Sequence, residues 1–145
     1  MSKGNTFENE LLEHIFNNAD IPLIGDAAGL LGSAADGNLY VSLHTADPGE
    51  SGAQNTSETT YGSYARVAVA RDGTKWVVTG NSVSPASAIA FPPASSGTAT
   101  ITHAAVGTAS SGAGKLLYSG TVTPNISVST GVTPILPTGS AITED

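Results

Sequence analysis

Apolar side chains at helical spacing mark the first element of the chain. The five residues that share this stripe are Phe7, Leu11, Leu12, Ile15 and Phe16. Their spacing predicts one amphipathic helix over residues 5–18, in which Asn5 is the cap and Glu8 completes a capping box. Such a stripe can pack on its own domain or reach a neighbouring subunit, and both alternatives stay open. In the second case these five residues bind a partner.

The apolar pattern changes to a period of two at residues 39–45, which predicts a half-buried strand. The inward-facing residues are Leu39, Val41 and Leu43. The sequence DPG at 47–49 is typical of a turn, because proline presets φ and glycine accepts positive φ. Residues 50–62 are polar and predict a long surface loop.

Residues 64–84 contain the clearest local pattern. An Asp-Gly pair at 72–73 is typical of a two-residue hairpin turn, and it sets the register of the strands on either side. That register places four side chains on one apolar face, namely Val67, Val69, Trp76 and Val78. A Gly-Asn pair at 80–81 predicts a second turn that sets Val83 opposite Val78. We therefore predict a three-stranded meander with Arg66 on its solvent face.

Further strands are predicted in the second half of the chain, near residues 98–106, 115–123, 125–129 and 140–143. The 17 glycines and 8 prolines favour many short elements joined by turns. Strands that recur about every ten residues indicate a sandwich or barrel. The predicted fold class is therefore mainly β, an antiparallel β-sandwich or jelly-roll-like barrel with one N-terminal α-helix.

The predicted domain organisation follows from a change in composition. Residues 19–37 are rich in glycine and alanine, which predicts a linker with a short helical turn near residues 26–31. We divide the chain into an N-terminal arm, residues 1–37, and a β-sandwich body, residues 38–145. A chain of 145 residues is long enough to fold around a sizeable core without staples.

The charge of the chain limits its partners. The net charge is −7, and residues 1–58 carry nine acidic side chains against Lys3 alone. An acidic chain repels phosphate, so nucleic acid is not an expected partner. The acidic segment can be solvated. Alternatively, the acidic segment and the mildly basic remainder of the chain can dock on each other between subunits, or on a partner. No apolar run approaches the ~18–20 residues of a membrane span, and Glu8 interrupts any signal-peptide pattern. We therefore expect no membrane partner.

Residues that could carry chemistry are few. The chain has no cysteine, and its three histidines, His14, His44 and His103, lie in separate predicted elements. Neither a metal-ligand set nor a nucleophile motif is present in the sequence. Residues 59–143, which hold most of the predicted strands, carry one carboxylate, Asp72, and this does not suit glycosidase chemistry. We therefore expect no catalytic residue, no metal and no cofactor, and a protein that is not an enzyme.

Three tyrosines and one arginine are the other candidates for partner binding. Tyr40 faces outward in its predicted strand, and Tyr61 and Tyr64 flank the predicted loop. Together with Arg66 they predict an exposed patch. Such a cluster is typical of a protein interface and equally suits a sugar ligand.

Five segments of the chain resemble a widespread family of small virion proteins of tailed phages and prophages. They are NTFENELL (5–12), LYVSLHTADPG (39–49), YARVAV (64–69), GTASSGAGKLLY (107–118) and ITED (142–145). The resemblance covers nearly the whole chain, and members of the family are often labelled tail fibre proteins. The size and β character also resemble capsid cement or decoration proteins with jelly-roll-like folds. The resemblance implies a virion part and no catalytic residues.

The leading hypothesis is a capsid cement protein, made in the host cytoplasm, that binds the major capsid protein on the exterior of the phage head. It would bridge and stabilise capsid subunits, because modest contacts repeated over a lattice sum by multivalency. We expect it to act as a dimer or trimer. The alternative is a tail or tail-fibre-associated protein that binds a host receptor or glycan. A phage-borne hydrolase is a third possibility, for which the sequence offers no acid or nucleophile site.

Overall fold

The computed structural model describes residues 2–145, which form one helix and nine strands. The elements are α1 (Asn5–Asn17), β1 (Asn38–His44), β2 (Val67–Ala70), β3 (Trp76–Thr79), β4 (Ser82–Pro85), β5 (Ile89–Ala90), β6 (Ala99–Gly107), β7 (Leu116–Val128), β8 (Ile135–Leu136) and β9 (Ile142–Thr143). Strands account for 35% of the chain and helix for 9%. The prediction of a mainly β, antiparallel fold with one N-terminal helix is confirmed, and the sheets are compatible with a sandwich.

The strands form three sheets, with the orders β2-β1-β6-β7, β3-β4-β9 and β5-β8. The chain divides into two compact units, each assembled from separate stretches. Unit 1 consists of Met1–Asn38, Ala70–Ala88 and Pro137–Asp145, and unit 2 consists of Leu39–Val69 and Ile89–Leu136. Whether residues 1–37 act as a separate arm stays a prediction.

In unit 1, helix α1 packs on strands β3 and β4. Leu12 and Phe16 are fully buried, and the Phe16 ring meets Trp76 edge to face with 4.8 Å between ring centroids. Arg71 donates from Nε to the Ile15 carbonyl at 2.7 Å and from Nη2 to the His14 carbonyl at 2.7 Å. These are backbone carbonyls of the last helical turn, which lack partners inside the helix, so Arg71 satisfies them.

The start of the helix differs from the predicted capping box. Gly4 is the N-cap, no side chain caps the helix there, and the Glu8 amide donates to the Gly4 carbonyl at 3.0 Å. Glycine is an acceptable N-cap because its carbonyl begins the helical hydrogen bonds without a side-chain contribution. The predicted end is confirmed, since Asn18 takes the left-handed conformation, with φ of 58°, that closes many helices.

The predicted hairpin across residues 72–73 is wrong. Strand β2 pairs with β1, whereas β3 pairs with β4 in another sheet. A type I′ turn needs positive φ at both central residues, and Gly73 lies outside that region. The Asp72 carbonyl instead accepts from the amides of Lys75 and Trp76, which closes a wider turn. The second predicted turn is confirmed, because Gly80 has a φ of 60° and Val78 pairs with Val83.

Strand β1 is more buried than its alternating pattern indicates. It lies between β2 and β6, and its polar residues Ser42 and His44 are as inaccessible as its apolar ones. The strands predicted near residues 115–123 and 125–129 are one strand, β7, which pairs with β6 through two register shifts. The helical turn predicted near residues 26–31 is a loop closed by an antiparallel bridge between Ile21 and Leu30.

Candidate functional site

In unit 2, backbone hydrogen bonds hold residues 58 and 59 against strand β1. An isolated bridge joins His44 to Glu58, and the amide of Thr59 donates to the Leu43 carbonyl at 2.9 Å. Gln54 and Thr59 are buried inside this segment. The prediction of a surface loop over residues 50–62 is therefore wrong for part of its length.

Glu58 and Arg66 form a nearly buried ion pair. Two parallel hydrogen bonds join them, from Arg66 Nε to Glu58 Oε1 and from Nη2 to Oε2, both at 2.7 Å. The side chains are 2% and 13% exposed for Arg66 and Glu58 respectively. The hydrogen bond to Glu58 raises the pKa of Arg66, so the guanidinium stays charged. Arg66 also donates to the carbonyls of Ala109 at 2.9 Å and Gly112 at 2.7 Å, which ties the loop between β6 and β7 to the pair.

Tyr64 completes this cluster. Its hydroxyl donates to Glu58 Oε1 at 2.8 Å and accepts from the Leu43 amide at 3.0 Å. Burial is the main cause that raises the pKa of Tyr64 above its usual range. The phenol therefore links the Glu58 side chain to β1 through two hydrogen bonds.

Gln54 also links β1 to the loop between β6 and β7. Its Nε2 donates to the Tyr40 carbonyl at 2.8 Å, and its Oε1 accepts from the Ala109 amide at 3.2 Å. Side chains at Gly107 and Gly114 would collide with the Gln54 amide group. Two glycines of the segment GTASSGAGKLLY therefore have a physical role, which is to leave room for Gln54.

His44 is held in its neutral form. The Thr56 carbonyl can only accept, so Nδ1 carries the proton of their 2.8 Å hydrogen bond. Nε2 then accepts from the Ser42 hydroxyl at 2.9 Å. Burial is the main cause that lowers the pKa of His44. Both ring nitrogens are engaged inside the unit, which gives His44 a structural role.

An open cavity of about 390 Å³ lies between the DPG turn and the start of β7. Its lining residues are Asp47, Gly49, Glu50, Leu116, Leu117, Tyr118 and Ser119. We call this cavity the DPG groove. It combines two carboxylates with an aromatic ring, two leucines and a hydroxyl, and none of the lining residues is basic. Such a surface can accept hydrogen bonds from hydroxyl or ammonium groups and cover the apolar part of the same ligand.

The predicted partner-binding residues separate into two sets. On α1, Leu12 and Phe16 belong to the core of unit 1, Leu11 and Ile15 are half-buried, and Phe7 is 37% exposed. A partner-binding role of this stripe stays a prediction.

The second set lies in unit 2 and is less exposed than expected. Tyr61 is 5% exposed and its hydroxyl donates to the Pro92 carbonyl at 2.9 Å. Tyr61 also meets Tyr64 edge to face, with 5.3 Å between ring centroids, while Tyr40 is half-buried. The prediction of exposure is wrong for Tyr61, and the solvent position predicted for Arg66 is wrong because its side chain is buried against Glu58. The role of these tyrosines and of Arg66 in partner binding stays a prediction.

Sequence reasoning missed Glu58, Gln54 and the DPG groove. The available signal was an isolated arginine eight residues after an isolated glutamate, in a chain with only 12% charged residues. Within residues 2–145, no group of three or more His, Cys, Asp or Glu is arranged to hold a metal ion. No helix in the described part of the chain is long and apolar enough to cross a bilayer.

Comparison with known proteins gives one family. The family model described as "Podophage GP4 fiber I protein gp80" matches residues 2–143. A search of curated proteins found no significant match. Because the family match spans almost the whole chain, this protein belongs to that family of phage virion structural proteins, and the resemblance noted from the sequence is confirmed.

Proposed function

We propose that this phage virion structural protein is a component of a fibre and not a cement protein of the head. The observation that supports this choice is the match of residues 2–143 to a family named for a podophage fibre protein. The cement hypothesis rested on the resemblance to phage virion proteins, on size and β character and on the absence of chemistry, all of which are shared by many virion parts. The alternative stated from the sequence, a tail-fibre-associated protein, is therefore the better supported of the two.

The contacts in unit 2 suit a binding role without catalysis. Glu58, Arg66 and Tyr64 are ionisable, but Glu58 accepts from both of the others. Arg66 and Tyr64 also bond backbone groups, so the three residues stabilise loops. Binding residues often lie on loops that a rigid scaffold positions. We propose that the protein is not an enzyme and needs no cofactor, and that its loops present a contact surface to the host cell.

The DPG groove is the proposed contact for a host saccharide. Sugar hydroxyls donate hydrogen bonds to carboxylates such as Asp47 and Glu50, and the apolar face of a sugar ring packs on an aromatic ring such as Tyr118. Glu50 is exposed at the groove, so it can be changed without loss of a core contact.

Two experiments test this function. Antibody labelling of purified virions, viewed by electron microscopy, is expected to mark fibres, and a label spread over the head would refute the fibre assignment. The protein is expected to bind saccharides on an array of bacterial surface glycans. The variant Glu50→Gln should weaken that binding at least about tenfold. Asp145→Asn, which removes the same charge from an exposed residue outside the groove, is the matched control and should bind normally. Equal binding by Glu50→Gln would remove the groove from the proposal and leave the fibre assignment intact.

A further inference from the structure

The two sides of the DPG groove differ in their chemistry. The turn after β1 contributes the carboxylates of Asp47 and Glu50, which are both exposed. The start of β7 contributes Leu116, Leu117 and the half-buried ring of Tyr118. A ligand that fits both sides must therefore carry polar or charged groups on one edge and apolar surface on another.

The two carboxylates have no cationic partner in the chain. Across residues 2–145, neither Asp47 nor Glu50 is part of an ion pair. Unit 2 contains two lysine or arginine residues. Arg66 is committed to Glu58, and Lys115 is not among the residues that line the groove. The groove therefore presents two negative charges that the fold itself does not neutralise.

Hydrogen bonds set the shape of the groove before any ligand binds. Asp47 Oδ1 accepts from the Gly49 amide at 2.9 Å, which fixes the turn and leaves Oδ2 for a ligand. The backbone amide of Gln54, which is buried, donates to the Gly114 carbonyl at 2.9 Å. This bond lies four residues after one side of the groove and two residues before the other, so it holds the two sides together. A preformed site of this kind loses less conformational entropy on binding.

The lining of the groove narrows the class of ligand. Two carboxylates do not make a metal site, and the described chain, residues 2–145, has no third acidic, histidine or cysteine ligand grouped with them. A uronate or a phosphorylated sugar carries charge of the same sign as Asp47 and Glu50, so it is repelled. A sugar with a free amino group instead combines an ammonium group, which donates hydrogen bonds, with an apolar ring face.

We propose that the DPG groove selects saccharides that carry a free, protonated amino group. The carboxylates of Asp47 and Glu50 bind the ammonium group, and the apolar face of the ring packs on Tyr118. This inference rests on the proposed function of the groove as a saccharide contact, and it adds the class of sugar. Charge-assisted hydrogen bonds are about twice as strong as neutral ones. N-acetylation of the amine removes the charge and keeps the ring, so it should weaken binding.

Calorimetric titration of the unmodified protein tests this selectivity. The ligands are short oligomers of glucosamine, the same oligomers after N-acetylation, and galacturonic acid oligomers of equal length, all at about pH 6.5, where the sugar amine is protonated. We expect the glucosamine oligomers to bind at least about tenfold more tightly than their N-acetylated forms, and the galacturonic acid oligomers to bind most weakly. Raising the salt from about 0.05 to 0.5 M should reduce the preference, because salt screens exposed charges.

The double variant Asp47→Asn with Glu50→Gln assigns the preference to the groove. Asparagine can still accept from the Gly49 amide through Oδ1, so the turn is kept while both charges are removed. The preference for the free amine should then fall to about onefold. The matched control is Asp36→Asn with Asp145→Asn, which removes two exposed charges from unit 1 and should keep the preference. Thermal unfolding of each variant checks that the fold is retained.

Each result of these titrations bears on a separate part of the inference. Equal binding of the free and N-acetylated oligomers would overturn the inference and leave the groove as a saccharide contact. Binding of an oligolysine peptide as tight as that of glucosamine oligomers would overturn the role of the sugar ring, and an undiminished preference in the double variant would overturn the role of the two carboxylates. If the protein binds the array of bacterial glycans but none of these oligomers, the inference fails alone. If it binds no saccharide in either assay, the proposed saccharide contact fails with it.

Discussion

The guanidinium of Arg66 joins three parts of unit 2. It makes two hydrogen bonds to Glu58 and further ones to the carbonyls of Ala109 and Gly112. Both charged groups are largely removed from water, which costs free energy. The attraction between them offsets that cost. The pair fixes two loops at once.

Removal of one partner from this pair is expected to destabilise the fold strongly. Arg66→Met leaves Glu58 largely buried and without its counter-charge, a situation that costs about 3–5 kcal/mol in buried pairs. Urea unfolding measures the change. The control is Lys3→Met, which breaks a more exposed pair with Glu144 and should cost below about 1 kcal/mol. The double variant Arg66→Met with Glu58→Gln should recover part of the loss, and equal losses in Arg66→Met and Lys3→Met would contradict the argument.

His44 predicts a pH dependence of stability. Burial lowers its pKa in the folded state below the ordinary value of about 6.5. Below that value the unfolded chain binds a proton that the folded chain resists, so the free energy of unfolding should be highest above pH ~6.5 and decrease as the pH falls toward the folded pKa. Urea unfolding between about pH 7.5 and 5.5 measures this decrease.

An NMR titration of the intact protein assigns the effect to His44, because its ring should titrate below its usual range. If the free energy of unfolding were flat across the range and His44 titrated normally, the inference of a neutral, buried imidazole would be wrong.

At the scale of elements, the helix was predictable and its surroundings were not. The spacing of Leu12 and Phe16 predicts both the helix and its buried stripe, because a repeat of 3.6 residues is a local property. The partner of each strand is not local, and at residues 72–73 the backbone of Asp72 bonds Lys75 and Trp76, which no dipeptide preference reveals. The Glu58–Arg66 pair was missed for a similar reason, since two isolated charges do not disclose that a fold buries them together.

The apolar stripe of α1 contains two phenylalanines, one buried in the core and the other partly exposed. Phe16 is fully buried against Trp76, whereas Phe7 is 37% exposed. Phe16→Ala is therefore expected to cost about 3–5 kcal/mol, and Phe7→Ala much less. Chemical unfolding of both variants checks this difference. Equal costs would mean that α1 does not use Phe16 to hold β3.

At the scale of the whole molecule, the predicted class, mainly β with one helix, is confirmed, while the organisation into two discontinuous units was not foreseen. Composition and turn signals report how many short elements a chain has. They do not report that Ile142 pairs with Val83, because pairing between distant segments depends on the complete fold. The family match confirms the place of the chain among phage virion proteins, which the five resembling segments had indicated.

Deletion of residues 142–145 is expected to destabilise unit 1. The deletion removes strand β9 from β4, and it removes the hydrogen bonds that Asn81 exchanges with Glu144 at 2.8 and 2.9 Å. The melting temperature should fall by several degrees, since 1 kcal/mol corresponds to about 2–8 °C in domains of this size range. Deletion of Asp145 alone, which keeps β9, should change it less. Equal melting temperatures in the intact chain and the four-residue deletion would show that β9 is dispensable.

The pairing of distant residues in unit 1 also has a consequence for the rate of folding. Lys3 donates to the Asp145 carbonyl across 142 positions, and three separated stretches must meet before the unit is complete. Bringing distant stretches together costs conformational entropy, and this cost is not offset until the contacts between them have formed. Refolding after rapid dilution from denaturant should therefore take milliseconds to seconds, the range of proteins with high contact order, and not the microseconds of small helical bundles. During that interval exposed apolar side chains such as Leu23 and Leu31 can meet other unfinished chains, so the refolding yield should decrease as protein concentration rises.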